Sequence, residues 1–257
     1  MLAGLFAAAE EYSAERERQV SRSELEARVA LLPQLGNPYQ TLAKADHIKV
    51  IAEIKRASPS RGNLAAIENP AALAVDYEES GASAISVLTE RTGFLGSMED
   101  LIAVSSSVTI PALRKDFISN EYQILDARAS GAALVLLILA HLSVEEFERL
   151  HAFAMSLGLG VLTECHNQGE IENAAAAGAK LIGINTRDLV TFKTDLGLFE
   201  KLSGLLPQSS IRVAESSVRS ADDVRRYRDS GADVVLVGEA LVTGDHKRLI
   251  REFVSIS

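Results

Sequence analysis

Four times in this chain a small residue, a glycine and an alanine stand together just ahead of an apolar run: Ser80-Gly81-Ala82, Ser130-Gly131-Ala132, Ala177-Gly178-Ala179 and Ser230-Gly231-Ala232. The spacing is roughly fifty residues, a period that marks a repeated unit. Each glycine reads as the left-handed residue that closes a helix before a strand begins, so the repeat speaks for architecture and not for chemistry. Around these marks the sequence predicts eight strands, near 48–55, 84–88, 108–115, 133–138, 159–164, 181–185, 211–215 and 233–237. Helical segments alternate with them, and several have readable starts: Asn69-Pro70 as cap and first-turn proline, Ser143 with Glu146, Asn167 with Glu170, and Ser220 with Asp223.

Alternating strands and helices imply a parallel sheet. Eight such modules in 257 residues close most economically into an α/β fold of the (β/α)8 TIM barrel type with an N-terminal helical extension. A doubly wound open sheet is the competing topology; against it, no Gly-x-Gly-x-x-Gly follows the first strand and no Walker phosphate loop occurs. One domain is expected over 1–257, with a helical extension at 1–47 and the barrel at 48–257. In the extension, Leu2, Leu5 and Phe6 and then Leu25, Val29 and Leu32 recur at helical spacing, and Ser23 with Glu26 reads as a capping box opening the second helix. Pro33, Gly36 and Asn37-Pro38 end that helix. The chain stops soon after the eighth module, so no second catalytic domain is expected.

The single cysteine, Cys165, excludes an internal disulfide and gives no metal framework, which fits a reducing compartment. No apolar run has the length to span a bilayer, and the first twenty residues turn acidic too soon for a signal peptide, so a cytoplasmic protein without membrane contact is expected. A formal charge of −9 argues against nucleic acid as a partner. A small anion is compatible with it if cations gather locally, and Lys55, Arg56, Arg61, Lys115 and Arg187 are candidates for that cluster. A monomer is expected.

The chemistry lies at the strand ends. In Val50-Ile51-Ala52-Glu53-Ile54-Lys55 the alternation of faces sends Ile51, Glu53 and Lys55 one way and Val50, Ala52 and Ile54 the other. An opposite-charge pair thus sits on a face that begins as core, where burial is costly unless the charges are paired. Barrel sites form at the carboxyl ends of strands, and those positions hold Glu53, Lys55, Lys115, Glu164, Asn185 with Arg187, and Glu215 with Ser216. A lone lysine after a strand is commonly a solvated cap. Lys115, however, follows Pro111 and Leu113 on its face, which places its ammonium over the barrel mouth, and Glu164 follows Gly160 and Leu162 in the same way. The loops after the last two strands, Ser216-Ser217 and Gly238-Glu239, open toward helix N-termini, where barrels commonly hold phosphate. Cys165-His166 offers a nucleophile and a base, but neighbours at a strand end point apart. The other histidines lack metal-ligand spacing, and Glu145-Glu146-Phe147-Glu148 reads as a solvated helix face.

The run Ile51-Ala52-Glu53-Ile54-Lys55-Arg56-Ala57-Ser58-Pro59-Ser60 resembles the signature of the indole-3-glycerol-phosphate synthase family. The resemblance extends through Leu88-Thr89-Glu90 with Phe94 and Gly96-Ser97, Pro111 to Ile118, Gly183 to Leu189, Ala214-Glu215-Ser216 and Leu236 to Leu241. It implies closure of 1-(2-carboxyphenylamino)-1-deoxyribulose 5-phosphate to an indole with loss of carbon dioxide and water, a small phosphorylated substrate, and no cofactor or metal. By resemblance, Lys115 matches the acid for ring closure and Glu164 and Lys55 the dehydration pair, the division of steps between the two lysines being left open by the sequence, and Glu53, Asn185 and Ser216 complete the catalytic set. By the same resemblance Ser58 and Phe94 lie near the anthranilate ring, Arg187 adds a cation for an anionic group, Ser216, Ser217, Gly238 and Glu239 occupy the phosphate region with Leu236 as apolar wall below it, and Glu215 also belongs to the substrate-binding set. One position departs from the pattern: Ser217 stands where the family usually has glycine. If that site needs a positive φ, serine there is strained. Another phosphate-binding barrel, such as an aldose–ketose isomerase, would explain the loops but not the Glu53, Lys55 and Lys115 combination; a non-catalytic binding barrel is the third reading.

Overall fold

In the computed structural model, which describes residues 2–188 and 194–257, eight parallel strands close on themselves. They are β1 Lys49–Ile54, β2 Ala84–Leu88, β3 Ala112–Lys115, β4 Leu134–Ile138, β5 Gly160–Cys165, β6 Leu181–Asn185, β7 Ile211–Glu215 and β8 Val234–Val237. Each pairs with its successor, and β8 returns to β1 from Lys49↔Val234 to Ala52↔Val237, so the barrel has no free edge. The helices are α1 Leu2–Gln19, α2 Arg22–Ala30, α3 Pro70–Glu79, α4 Met98–Ser105, α5 Glu121–Ala129, α6 Val144–Ser156, α7 Gln168–Ala176, α8 Leu198–Ser203, α9 Ala221–Asp229, α10 Glu239–Thr243 and α11 His246–Val254. Among them no helix is long and apolar enough to cross a membrane. A short hairpin, Ala57–Ser58 against Gly62–Asn63, rises from the end of β1.

The repeat acts as its residues require. Gly81, Gly131, Gly178 and Gly231 have φ of 106°, 87°, 72° and 91°, each just past a helix and before a strand. At the other ends, Asn69, Ser143, Asn167 and Ser220 accept the N–H groups of Ala72, Glu146, Glu170 and Asp223, as the sequence predicts. Two local expectations fail. The cap of α2 is Ser21, which accepts from Glu24 N, and not Ser23, because the helix begins two residues earlier, at Arg22. The third strand starts at Ala112 rather than 108: Pro111 has no N–H to give a ladder, and the N–H groups of Thr109 and Ile110 turn instead to the Glu78 carboxylate at 3.0 and 3.2 Å.

Strand alternation divides the core into two layers. Val50, Ala52 and Ile54 join Val135, Val161, Ile182 and Val235 between sheet and helices, whereas Ile51, Leu113, Leu162, Leu181 and Val213 fill the barrel interior. The extension closes the interior at two places. Phe6 and Ala9 of α1 pack into the interior cluster with Phe117, where Phe6 meets Phe117 edge-on at 5.3 Å and stacks on His141 at 3.7 Å. At the amino-terminal end of the strands, Tyr39 and Leu42 are buried, and the Tyr39 hydroxyl accepts the Val161 N–H at 3.0 Å.

Candidate active site

With the lower interior filled by apolar side chains, the charged residues stand at the carboxyl ends of the strands around a cavity of about 560 Å³. Its walls include Glu53, Lys55, Ser58, Phe94, Lys115, Glu164, Asn185, Arg187, Glu215, Ser216, Ser217, Leu236, Gly238 and Glu239, so every site residue expected from the sequence lines one space. Leu189, at the end of one resembling block, lies outside the described residues. Of the expected cation cluster, Lys55, Arg61, Lys115 and Arg187 line the cavity. Arg56 does not; alternation turns it outward, where it pairs with Asp100 and donates to the Ile67 carbonyl at 3.0 Å. Arg219 joins from the loop after β7.

The buried charges form two linked groups. Lys55 Nζ lies 2.6 Å from Glu53 Oε1. Lys115 Nζ lies between Glu164 Oε2 at 3.6 Å and Glu215 Oε2 at 3.9 Å. Burial alone would push the Lys115 ammonium down, but the charges of Glu164, Glu215 and Glu53 outweigh it and raise the pKa, so the group is held protonated. Burial would raise Glu53 and Glu164 as well; Lys55 and Lys115 reverse this for Glu53, and Lys115 with His166 does so for Glu164, leaving both below the usual carboxylate range. Glu215 goes the other way. Burial and the adjacent Glu164 charge push it well above the ordinary value, more than Lys115 can offset. The two carboxyl groups are thus pushed in opposite directions, Glu164 down and Glu215 up, with the Lys115 ammonium between them.

Two glycines make room for these groups. A Cβ on Gly183 would lie 2.0 Å from Glu215 Oε1, and one on Gly238 would lie 2.5 Å from Glu53 Oε1 and 3.1 Å from Lys55 Nζ. Gly238 thus admits the Glu53–Lys55 pair as well as lining the region expected to hold phosphate. Gly183 was not singled out from the sequence, although a glycine inside the apolar run Leu181-Ile182-Gly183-Ile184 is a signal of close approach.

A chain of hydrogen bonds supports the opposite wall. Asn185 Oδ1 accepts from Ser216 Oγ at 2.8 Å and from Arg187 N at 3.0 Å, and Arg187 reaches Ser60 Oγ at 3.2 Å. Ser216 and Ser217 have φ of 71° and 68°, so the position that departs from the family pattern does adopt the backbone that favours glycine. The Ser217 hydroxyl contacts Thr186 Oγ1 at 3.1 Å, which in turn lies 3.3 Å from the Tyr227 hydroxyl. Glu239 pairs with Arg61 at 2.6 Å, joining the hairpin after β1 to α10. Several buried polar atoms of the cavity, Ser58 Oγ, both Glu164 oxygens and Glu215 Oε1, find no hydrogen-bond partner among the described residues, as expected of groups awaiting a ligand.

Cys165 is buried in the outer layer, and burial pushes its thiol up, away from nucleophilic use. His166, by contrast, turns toward Glu164 at 3.5 Å. Phe117, inside the Pro111 to Ile118 block but not among the residues that the resemblance assigns a role, lines the cavity beside Phe94 with ring centres 6.1 Å apart.

The family model described as indole-3-glycerol phosphate synthase matches residues 3–253. A protein of that name from Leifsonia xyli subsp. xyli is 51% identical over 253 residues, covering 98% of this chain and 97% of its own. Indole-3-glycerol phosphate synthase 1 of Streptomyces coelicolor is 49% identical, covering 94% and 90%. Among solved structures, thiamine phosphate pyrophosphorylase from Pyrococcus furiosus superposes with a TM-score of 0.60 at 15% identity, over 80% of this chain and 93% of that one, a likeness of fold.

Proposed function

Because this chain belongs to the indole-3-glycerol phosphate synthase family, carboxy-lyases of tryptophan biosynthesis, we propose that it closes 1-(2-carboxyphenylamino)-1-deoxyribulose 5-phosphate to indole-3-glycerol phosphate. The observation that supports the mechanism is Lys115 set between Glu164 at 3.6 Å and Glu215 at 3.9 Å, with the ammonium favoured, Glu164 pushed down and Glu215 pushed up. In the ring closure, the anthranilate carbon bearing the carboxylate attacks the ribulose C2 carbonyl, and Lys115 delivers a proton to its oxygen. Carbon dioxide then leaves, and the bonding pair it leaves behind restores the aromatic ring. For dehydration, Glu164 takes the proton from C1 while Lys55, steadied by Glu53 at 2.6 Å, protonates the departing hydroxyl. Asn185 and Ser216 orient the sugar hydroxyls, and Glu215 donates its proton as a hydrogen bond to the developing alkoxide side.

For binding, Phe94, Phe117 and Ser58 face the anthranilate ring, with Arg187 as a cation for its carboxylate. Ser216, Ser217, Gly238 and Glu239, with Leu236 beneath and Arg61 and Arg219 near, take the phosphate. The local cations answer the repulsion expected of a −9 chain toward such an anion. A biosynthetic role of this kind fits a cytoplasmic location.

The test is turnover followed by indole fluorescence. Lys115→Ala and Glu164→Gln should each lower kcat by at least about a hundredfold while leaving the fold intact. Near-normal turnover in either would refute the assignment of that residue, and binding without any turnover by the unsubstituted protein would leave only the non-catalytic barrel.

A further inference from the structure

Two ammonium groups serve three buried carboxyl groups at the cavity floor, so Glu164 and Glu215 share one of them. Glu53, Glu164 and Glu215 are all buried, and the two ammonium groups among them are Lys55, committed to Glu53 at 2.6 Å, and Lys115, shared between the other two at 3.6 and 3.9 Å. A third basic group lies on the loop that leaves β5. His166 Nε2 is 3.5 Å from Glu164 Oε1, and its Nδ1 is 3.4 Å from Glu170 Oε2. Glu170 is itself fixed: it sits in the first turn of α7, one oxygen accepts the His166 backbone N–H at 2.7 Å, and the other accepts from Asn167 Nδ2 at 2.7 Å. The imidazole thus spans a carboxylate anchored on a helix and the carboxylate at the end of a strand.

Glu164 consequently faces two cations with its two oxygens, Oε1 toward His166 and Oε2 toward Lys115. We propose that His166 is a positioning residue for Glu164, its imidazolium braced by Glu170 and holding Oε1 so that Oε2 stays ionised and directed at Lys115 and the substrate. The inference rests on the reading of Glu164 as the base. Without His166, Glu164 and Glu215 would compete on nearly equal terms for one ammonium, and Glu164 would be pushed toward its protonated form. The groups facing this pair are Lys115 from β3, Glu53 from β1, Glu215 from β7, Glu170 from α7 and Asp188 beyond β6. Burial disfavours a charged imidazole there, but Glu170, Glu164 and Asp188 together raise it above the ordinary histidine value, consistent with a cation.

The experiment is the pH dependence of kcat and KM for His166→Ala, His166→Gln and Glu170→Gln, with circular dichroism confirming the fold of each. Removing the cation should move the acid limb of the kcat profile up by about one pH unit in both histidine variants. At a pH one unit below the limb, that lowers turnover about tenfold. His166→Gln keeps a donor toward Oε1 and should recover the plateau but not the limb, Glu170→Gln should shift the limb less in the same direction, and KM should change little. A limb that stays in place in His166→Gln, or a loss of kcat that is uniform across pH, overturns the proposal. If His166→Ala does not fold, the other two variants decide it. Glu164→Gln separates the two readings: if it still turns over, the base assignment has failed; if it is inactive while the limb of His166→Gln is unmoved, only the role of His166 has.

Discussion

Ser217 shows how a single residue can be strained and restrained at once. A non-glycine residue at a φ of 68° costs about 1–3 kcal/mol, and its hydroxyl contact with Thr186 returns about 1 kcal/mol. Replacing it separates these effects. Ser217→Ala keeps the strained backbone and loses the hydroxyl, so it should lower unfolding stability by about 1 kcal/mol in urea titrations. Ser217→Gly removes strain and hydroxyl together and adds about 0.5–1 kcal/mol of chain entropy, so it should lie above Ser217→Ala. An alanine variant as stable as the unsubstituted chain would mean that the Thr186 contact holds nothing.

At the scale of elements, the extension is part of the barrel rather than an appendage. Arg16 of α1 binds Asp126 of α5 at 2.5 Å, and Asp126 lies 3.9 Å from Arg114, which in turn pairs with Asp116 at 2.8 Å. Arg114 and Lys115 are neighbours on β3, so a run of ion pairs leads from the first helix to the strand that carries the proposed acid. Phe6, 1% exposed, adds apolar contact with Phe117 on the cavity wall. Phe6→Ala should therefore lower stability by about 3 kcal/mol. Because Phe117 loses its edge-on neighbour, KM should rise more than kcat falls; a change in kcat alone would place α1 outside the binding wall.

For the whole molecule, the proposed site and the stability of the fold pull apart with pH. Glu53 and Glu164 are held below the ordinary carboxylate value, so their contribution is present above the unfolded pKa of about 4.3 and is lost as pH falls through their folded values. Glu215 is raised, so its contribution is present below that unfolded value and is lost as pH rises through the folded one. At neutral pH its burial opposes folding. Glu215→Gln should raise the melting temperature at pH 7 by a few degrees, with the gain shrinking toward pH 4, while turnover falls. A gain that is the same at both pH values would show that it does not come from the Glu215 proton.

The repeat, the helix caps at Asn69, Ser143, Asn167 and Ser220, and the two faces of β1 could all be read along the chain, because they rest on interactions within a few residues or on a strict period of two. That is also why the candidate residues could be named: strand ends in a barrel converge whatever the loops do. Ser21-x-x-Glu24 and Ser23-x-x-Glu26 are equivalent as local patterns, so the sequence left the cap of α2 undecided, and the shortening of β3 depended on Glu78 of another helix taking the Thr109 and Ile110 N–H groups. The upward push on Glu215, the space kept open by Gly183 and the approach of His166 to Glu164 depend on side chains from different strands meeting in a buried space. The sequence by itself determined a closed barrel with Glu53, Lys55, Lys115 and Glu164 at its mouth. Only the tertiary structure decided which carboxylate keeps its charge, because that depends on distances of a few ångströms between charges far apart in the chain.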